Sequence, residues 1–381
     1  MNFLSKTAPA PVRKAGERAL GPDLLRIACM FMILTSHFFV HGKVLGSLRP
    51  TDVNFHIGWF IEGCCYVMVN CYVLITGYYQ SASTFKLKKL LLLWGQIDFT
   101  SGAEYLILCA LGKVTFAWSG FFTAAAAVTG QRYWFATAYL ILYAVSPLLN
   151  RAMRDLGQRE HFIACASLLG IFVLARNFVY WQDFANLHGG YSYMSFIVLY
   201  VTAAYLRKYP PKKHLWLGWY FLFSAVTAGS RILSTVLYYR YQFSSDYIKV
   251  FMQYNSVTVV AASVCLFLFF LNLDIRGRVP RALIGFFAPL TFGVYLIHEH
   301  RDLRSPLWDW LKPYEQAKSP RVFLLLLAVI TSLFFACCAA EFLRKCLSRL
   351  FCIPTLFGKL ADGLTALVRK LLKRHMPPED S

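Results

Sequence analysis

The sequence has no internal repeat, no low-complexity tract and no separate soluble module, so its chemistry must be built within one body of chain. Its 11 cysteines show neither the regular spacing of metal ligands nor a secreted disulfide framework. Most lie inside apolar stretches, Cys64-Cys65 and Cys337-Cys338 among them, and read as small hydrophobic packing residues. A cleavable signal peptide needs a small-residue site after its apolar run. None follows the first run here, which is therefore expected to be retained as an anchor. Acidic residues number only 19 against 39 lysines and arginines, a net charge of +20. The basic residues fall in short clusters between apolar spans, so no nucleic-acid partner is expected.

A hydrophobic fraction of 57% and a positive mean hydropathy exclude a soluble globule with one core. About ten apolar runs are long enough to cross a bilayer, near 24–44, 56–79, 88–111, 131–149, 161–180, 190–206, 214–238, 250–272, 282–299 and 322–343. Helices are expected for all, because only helices and closed barrels satisfy the backbone in lipid. The third and fifth are the least apolar, carrying Asp98, Glu104 and Arg176. The fold class is thus all-α, a polytopic bundle of about ten transmembrane helices. Lysine and arginine crowd alternate connections: the N-terminal tail (Lys6, Arg13, Lys14, Arg18), Lys86/Lys88/Lys89, Arg151/Arg154/Arg159, Arg207/Lys208/Lys212/Lys213, Arg276/Arg278/Arg281 and the C-terminal tail. The loop around Asp183 has neither residue. The positive-inside rule places both termini in the cytoplasm. The expected organisation is a tail over 1–20, a membrane domain over 21–345 and a basic amphipathic tail over 346–381 lying on anionic lipid.

Within this frame, polar residues inside the spans acquire a depth. His37 stands in the first span with Arg26 eleven residues before it. Eleven steps are roughly three helical turns, so both project from one face, about 16 Å apart along the axis. A charged or titratable group in a spanning helix costs on the order of 3 kcal/mol and usually faces a pathway or a reaction centre. Arg26 with Lys86, Lys88 and Lys89 makes an inner cationic zone suited to a phosphate-rich cytosolic cofactor. An outer zone holds Glu62, Trp134, Arg176, Arg231, Asn255 and the His298-Glu299 pair, and suits the hydrogen bonding and stacking of a sugar. Plainer roles are open to each: Arg26 as a topology anchor, His298 and Glu299 as interfacial residues. Glu62, Arg176 and Arg231 could simply pair with one another, and His37 could bond a neighbouring helix. His37 and His41, at i,i+4, could ligate a metal, but no acidic third ligand is evident near them, and no metal is expected.

Five segments, taken in order, resemble the bacterial integral-membrane acyltransferase family 3, the O-acyltransferases of surface polysaccharides. The Asp23-Leu-Leu-Arg26-Ile-Ala segment with His37 resembles the family's Arg-x10-His signature. Val69-Asn70 through Thr76-Gly77-Tyr78-Tyr79 is similar to its FxxSGY helix, with threonine where serine is usual. Tyr133-Trp134-Phe135 through Ser146-Pro147-Leu-Leu-Asn150 resembles its WF…Y…SPLLN span. Ser192 through Arg207 resembles a further segment, and Gly293-Val-Tyr295-Leu-Ile-His298 its YLIH motif. The likeness covers roughly residues 20–345, without the fused hydrolase-like domain that some members carry.

The resemblance implies a multi-pass enzyme of the bacterial inner membrane. It would move an acyl group, acetyl above all, from cytoplasmic acetyl-CoA onto a hydroxyl of a surface or lipid-linked polysaccharide. No cofactor stays bound; acyl-CoA is the donor substrate. His37 and Arg26 would be the catalytic residues, His37 as general base or as acyl carrier. Arg26 and the lysines at 86, 88 and 89 would hold CoA phosphate, with Thr76 and Tyr78 lining the donor channel. Glu62, Trp134, Arg176, Arg231 and His298 would bind the acceptor or the oxyanion. Two other classes bury such residues: a transporter or flippase of an anionic or sugar substrate, which moves it unchanged, and a non-catalytic scaffold, indifferent to loss of Arg26 or His37.

Overall fold

The computed structural model describes residues 20–178, 186–212, 214–242 and 251–375. Lys6, Arg13, Lys14, Arg18, Asp183 and Lys213 lie outside the described residues. Among the described residues every regular element is helical. Helix α1 (Leu20–Val40) is followed by α2 (Val53–Cys65) and α3 (Met68–Gln80), then by α4 (Leu87–Ala110), α5 (Trp118–Ala125) and α6 (Trp134–Arg154). Next come α7 (Gln158–Leu169), α8 (Ala175–Phe178), α9 (Tyr193–Lys208), α10 (Trp216–Tyr241) and α11 (Val257–Leu271). The chain ends with α12 (Arg278–Phe287), α13 (Thr291–His298), α14 (Arg301–Leu311), α15 (Val322–Leu350) and α16 (Ile353–His375).

Among the described residues each predicted apolar run overlaps one or more helices. Five helical stretches are long and apolar enough to cross a membrane: Leu20–Ser47, Val53–Gln80, Trp216–Tyr241, Arg278–His298 and Val322–Leu350. Val257–Leu271 is apolar but shorter. The other runs fall below that standard for visible reasons. Helix α4 carries Lys88, Lys89, Asp98 and Glu104, α6 ends on two arginines, and α9 is only 16 residues long. The run predicted over 161–180 is broken into α7, a π-helical turn at Gly170–Leu174 and α8. The Arg278–His298 stretch, which meets the standard, passes through a tighter turn at Ala288–Leu290, where Pro289 cannot supply a backbone donor.

Helix α1 lies at the centre, packed against α2, α3, α11, α12, α13 and α15. It runs antiparallel to α2–α3. Ser36 Oγ donates to Glu62 Oε1 (2.7 Å), and ten residues along each strand of the pair Tyr72 Oη donates to Arg26 O (2.7 Å). Apolar lipid gives helices little hydrophobic reason to associate, so small residues and polar cross-links must join them. Gly77 of α3 lies against Tyr200 and Ala203 of α9, and Gly63 of α2 against Ser224 and Ala228 of α10. Asn70 Nδ2 donates to Tyr254 O (2.7 Å), and Thr227 Oγ1 to Thr258 Oγ1 (2.8 Å). Asn150 joins three helices, donating to Gln80 O (3.0 Å) and accepting from Tyr200 Oη (2.8 Å). The expected amphipathic segment forms α16, which packs on α4 and α15 and leaves Leu356, Leu360 and Leu367 exposed.

A β-carbon on Gly77 would lie 2.9 Å from the Tyr200 backbone, which has no flexible end to move aside. Gly77→Ala should therefore force α3 and α9 apart, at about 1–3 kcal/mol. Gly229→Ala, which meets nothing within 4 Å, is the control. Thermal midpoints in detergent, read by size-exclusion chromatography, should fall for Gly77→Ala and hold or rise slightly for Gly229→Ala, where alanine fits the helix.

Candidate active site

One side of α1 carries Arg26, Met30, Ile33, His37 and His41 at spacings of three and four, a single helical stripe. This stripe forms one wall of a cavity of about 580 Å³. Facing it are Met68, Val69, Tyr72 and Thr76 of α3, and Lys89, Leu93 and Gln96 of α4. The α1 wall extends about 22 Å from Arg26 to His41 at 1.5 Å per residue. Because α1 and α3 are antiparallel, Thr76 falls toward the Arg26 end. Gln96 is held by its Nε2, which donates to Glu341 Oε1 (3.2 Å); Glu341 is fully buried and doubly bonded by Arg344 (2.7 and 2.8 Å). Arg26 forms an ion pair with Asp23 one turn before it.

The centre of the cavity is set by three residues from two distant parts of the chain, His37 on α1 and the adjacent His298 and Glu299. His298 Nδ1 donates to Val294 O one turn back (2.6 Å). In the neutral ring its Nε2 is then an acceptor, and it lies 3.0 Å from His37 Nδ1. His37 must therefore carry its proton on Nδ1, leaving the lone pair on Nε2. Glu299 Oε1 stands 3.2 Å from the same Nδ1 and 3.6 Å from His41 Nε2, while Arg304 reaches Glu299 Oε2 at 3.5 Å. The sequence reading saw no acidic partner for the His37/His41 pair; the turn after α13 supplies one. His37, His298 and Glu299 offer three ligand atoms within 4.8 Å of one another, a spacing that a divalent ion could bridge. The direct imidazole–imidazole hydrogen bond satisfies the two facing nitrogens by itself.

Beyond the histidines the wall becomes aromatic. Trp134, Tyr191 and Tyr254 line the cavity. Tyr254 stacks on Tyr66 (centroids 4.9 Å, planes 23° apart), and Trp134 lies 4.4 Å from Tyr191 and 6.2 Å from Tyr254. Tyr191 arrives on the Gly189–Gly190 turn, whose positive φ angles suit glycine, and where a β-carbon on Gly190 would lie 2.8 Å from Asn255 N.

Of the residues singled out from sequence, Arg26, His37, Thr76, Lys89 and Trp134 line this cavity. His298 lies directly behind His37 with both nitrogens engaged. Thr76 Oγ1 donates to Tyr72 O (2.9 Å), which leaves its lone pairs toward other donors. Lys86 caps α4, its backbone N–H donating to Tyr143 Oη (3.2 Å), and Lys88 lies against Gly358 of α16. Tyr78 is covered by the Arg207 guanidinium (4.9 Å). Glu62 is fully buried against Ser36, beside His37 in sequence but off the cavity wall. Arg231 lies over the Trp59 ring at 4.8 Å. Arg176 belongs to α8, and its side chain lies outside the described residues.

Sequence reasoning assigned no role to Gln96, Tyr72, Tyr191, Tyr254 or Arg304, and placed Glu299 in the outer zone beside His298 without a role at His37. For Glu299 a signal was present: a carboxylate next to His298, in a span end otherwise wholly apolar. For the tyrosines there was none, since tyrosines at span ends are mostly interface belts.

A family model described as an acyltransferase domain, Acyl_transf_3, matches residues 20–341. No curated protein and no solved structure gives a significant match. The matched region begins with α1 and closes on Glu341, enclosing every residue of the cavity wall. With its membrane-length helices and this domain spanning most of its length, the chain belongs to the acyltransferase 3 family and is a membrane acyltransferase.

Proposed function

We propose that the protein transfers an acetyl group from cytoplasmic acetyl-CoA to a sugar hydroxyl of a surface or lipid-linked polysaccharide. It would do so in the bacterial inner membrane, with about ten crossings and both termini in the cytoplasm. The observation that carries this reading is that one cavity holds three kinds of group together. It joins a cationic end (Arg26, Lys89), an imidazole with a free lone pair (His37) and an aromatic wall (Trp134, Tyr191, Tyr254). Cations suit the phosphates of the donor, and aromatic faces suit the apolar C–H face of a sugar ring.

An alcohol is a poor nucleophile at neutral pH. In this scheme His37 Nε2 takes the hydroxyl proton as the oxygen attacks the thioester carbonyl, a contribution of typically 10²–10⁴-fold. The tetrahedral intermediate collapses with cleavage of the C–S bond, and the CoA thiolate takes the proton back from His37. Atoms and charge balance: ester and CoA thiol leave, and no proton is lost. Glu299, 3.2 Å from His37 Nδ1, stabilises the imidazolium formed midway. His298 fixes the tautomer and ring orientation, so we assign it to positioning. The same Nε2 could carry the acetyl group as an acyl-imidazole; ping-pong rather than sequential kinetics would mark that route.

His37→Ala should lower acetyl transfer to glycan in isolated membranes by at least about a hundredfold at equal protein level. Comparing glycans from wild-type, deletion and His37→Ala cells by mass spectrometry tests the reading. The expected result is an ester-sized loss in both mutants, reproduced by mild base treatment of wild type. Unchanged glycan acylation in the deletion would overturn it, and glycan retained inside the cell with its esters intact would indicate transport instead.

Glu299→Gln keeps the shape and removes the charge beside the imidazolium. It should lower kcat by about 10–100-fold, the order of value of a carboxylate close to a buried cation, with the KM for acetyl-CoA unchanged. Arg26→Ala should do the reverse, raising that KM about 10–100-fold with kcat held, because donor phosphate is bound alike in ground and transition states. Steady-state kinetics with varied acetyl-CoA separate the two.

A further inference from the structure

A second cavity, of about 300 Å³, lies where the C-terminal ends of α3, α6 and α9 meet the start of α7. Its polar lining consists of Ser81, Asn150, Arg154, His161, Arg207 and Lys208. Three cations face it, and no carboxylate lines it. Cations at helix C-termini ordinarily cap free carbonyls. That accounts for Lys208, whose Nζ donates to Leu156 O (2.6 Å), and for one donor of Arg207, which goes to Tyr78 O (2.9 Å). It leaves the other guanidinium donors of Arg207 and all those of Arg154 for a further acceptor.

Capping does not account for His161. The residue is only 1% exposed, its ring wedged edge-on against Tyr205 and Tyr209, and neither nitrogen makes a well-aligned hydrogen bond. The Val201 backbone is within reach of one nitrogen at most, which leaves the other without a partner. A buried imidazole always has at least one N–H to place, and leaving it unpaired is costly. Next to it on α7, Phe162 and Ile163 are more than half exposed and apolar.

We propose that this cavity is a phosphate-binding site, separate from the acyl-transfer cavity, for the phosphodiester headgroup of an anionic lipid. Arg154 and Arg207 would pair with the phosphate oxygens and His161 would donate to one of them, while the acyl chains lie along Phe162 and Ile163. A free phosphate would satisfy the same donors but has no use for that apolar strip. The proposal stands on residues the transfer scheme does not use, so the two can fail independently.

The test uses the full-length protein, delipidated and titrated in native mass spectrometry with phosphatidylglycerol, with phosphatidylcholine, and with inorganic phosphate. Wild type should bind phosphatidylglycerol at least about tenfold more tightly than phosphatidylcholine, and Arg154→Gln and His161→Phe should each reduce that preference by about tenfold. Arg154 is exposed, so its variant guards against misfolding at His161, and an unchanged lipid-free thermal midpoint checks both. The KM for acetyl-CoA should not move in either variant. Binding of inorganic phosphate that both variants lose, with no lipid preference, would keep the phosphate site and give it a soluble source. Equal retention of both lipids with no phosphate binding, or a preference that both variants keep, would overturn the proposal.

Discussion

A polar side chain on a membrane-spanning helix must find its partners inside the protein, because lipid offers none. For α1 this requirement organises the whole bundle. Arg26 pairs with Asp23, Ser36 bonds Glu62 of α2, and His37 bonds His298 of α13, 261 residues away. The last two ties join helices from the start and the end of the chain to the first span, which lies between them. The cavity is what remains between them along the polar stripe of α1.

The same requirement explains why the centre is so short of redundant donors. Val294 O takes the only proton of neutral His298, whose remaining nitrogen can then only accept. The tautomer of His37 follows, and with it the identity of the nitrogen left to the cavity. A backbone carbonyl one turn below His298 thus decides the chemistry of a histidine on another helix. Glu299, held from its other side by Arg304, adds a charge at the point where imidazolium would form. Gln96 on the cavity wall shows similar layering, aimed by Glu341, with Glu341 neutralised by Arg344.

Much of the architecture was legible beforehand, because length and hydropathy alone demand helices where lipid excludes any other open backbone. The stripe on α1 was legible for the same reason: 3.6 residues per turn puts Arg26 and His37 on one face whatever surrounds them. Less legible were the spans that carry charge or breaks. The π-helical turn at Gly170–Leu174 divides one predicted run, and another passes through a tighter turn at Pro289. Asn150 of the SPLLN segment turned out to be a three-helix tie, a role that spacing within one helix cannot reveal.

The sequence by itself determined the helical class, the single-faced placement of Arg26 and His37, and the family, since these depend on local period and on motifs read in order. Only the tertiary structure decided which polar residues converge. Lys89 lines the cavity while Lys86 and Lys88, one helical turn or less away, do not. Glu62 and Arg231 turn to Ser36 and Trp59 instead of to each other, and Glu299 closes on His37 from the far end of the chain. Helical period fixes the face from which a side chain leaves its own helix. It carries no information on which helix stands opposite, and that depends on packing by small residues such as Gly63 and Gly77.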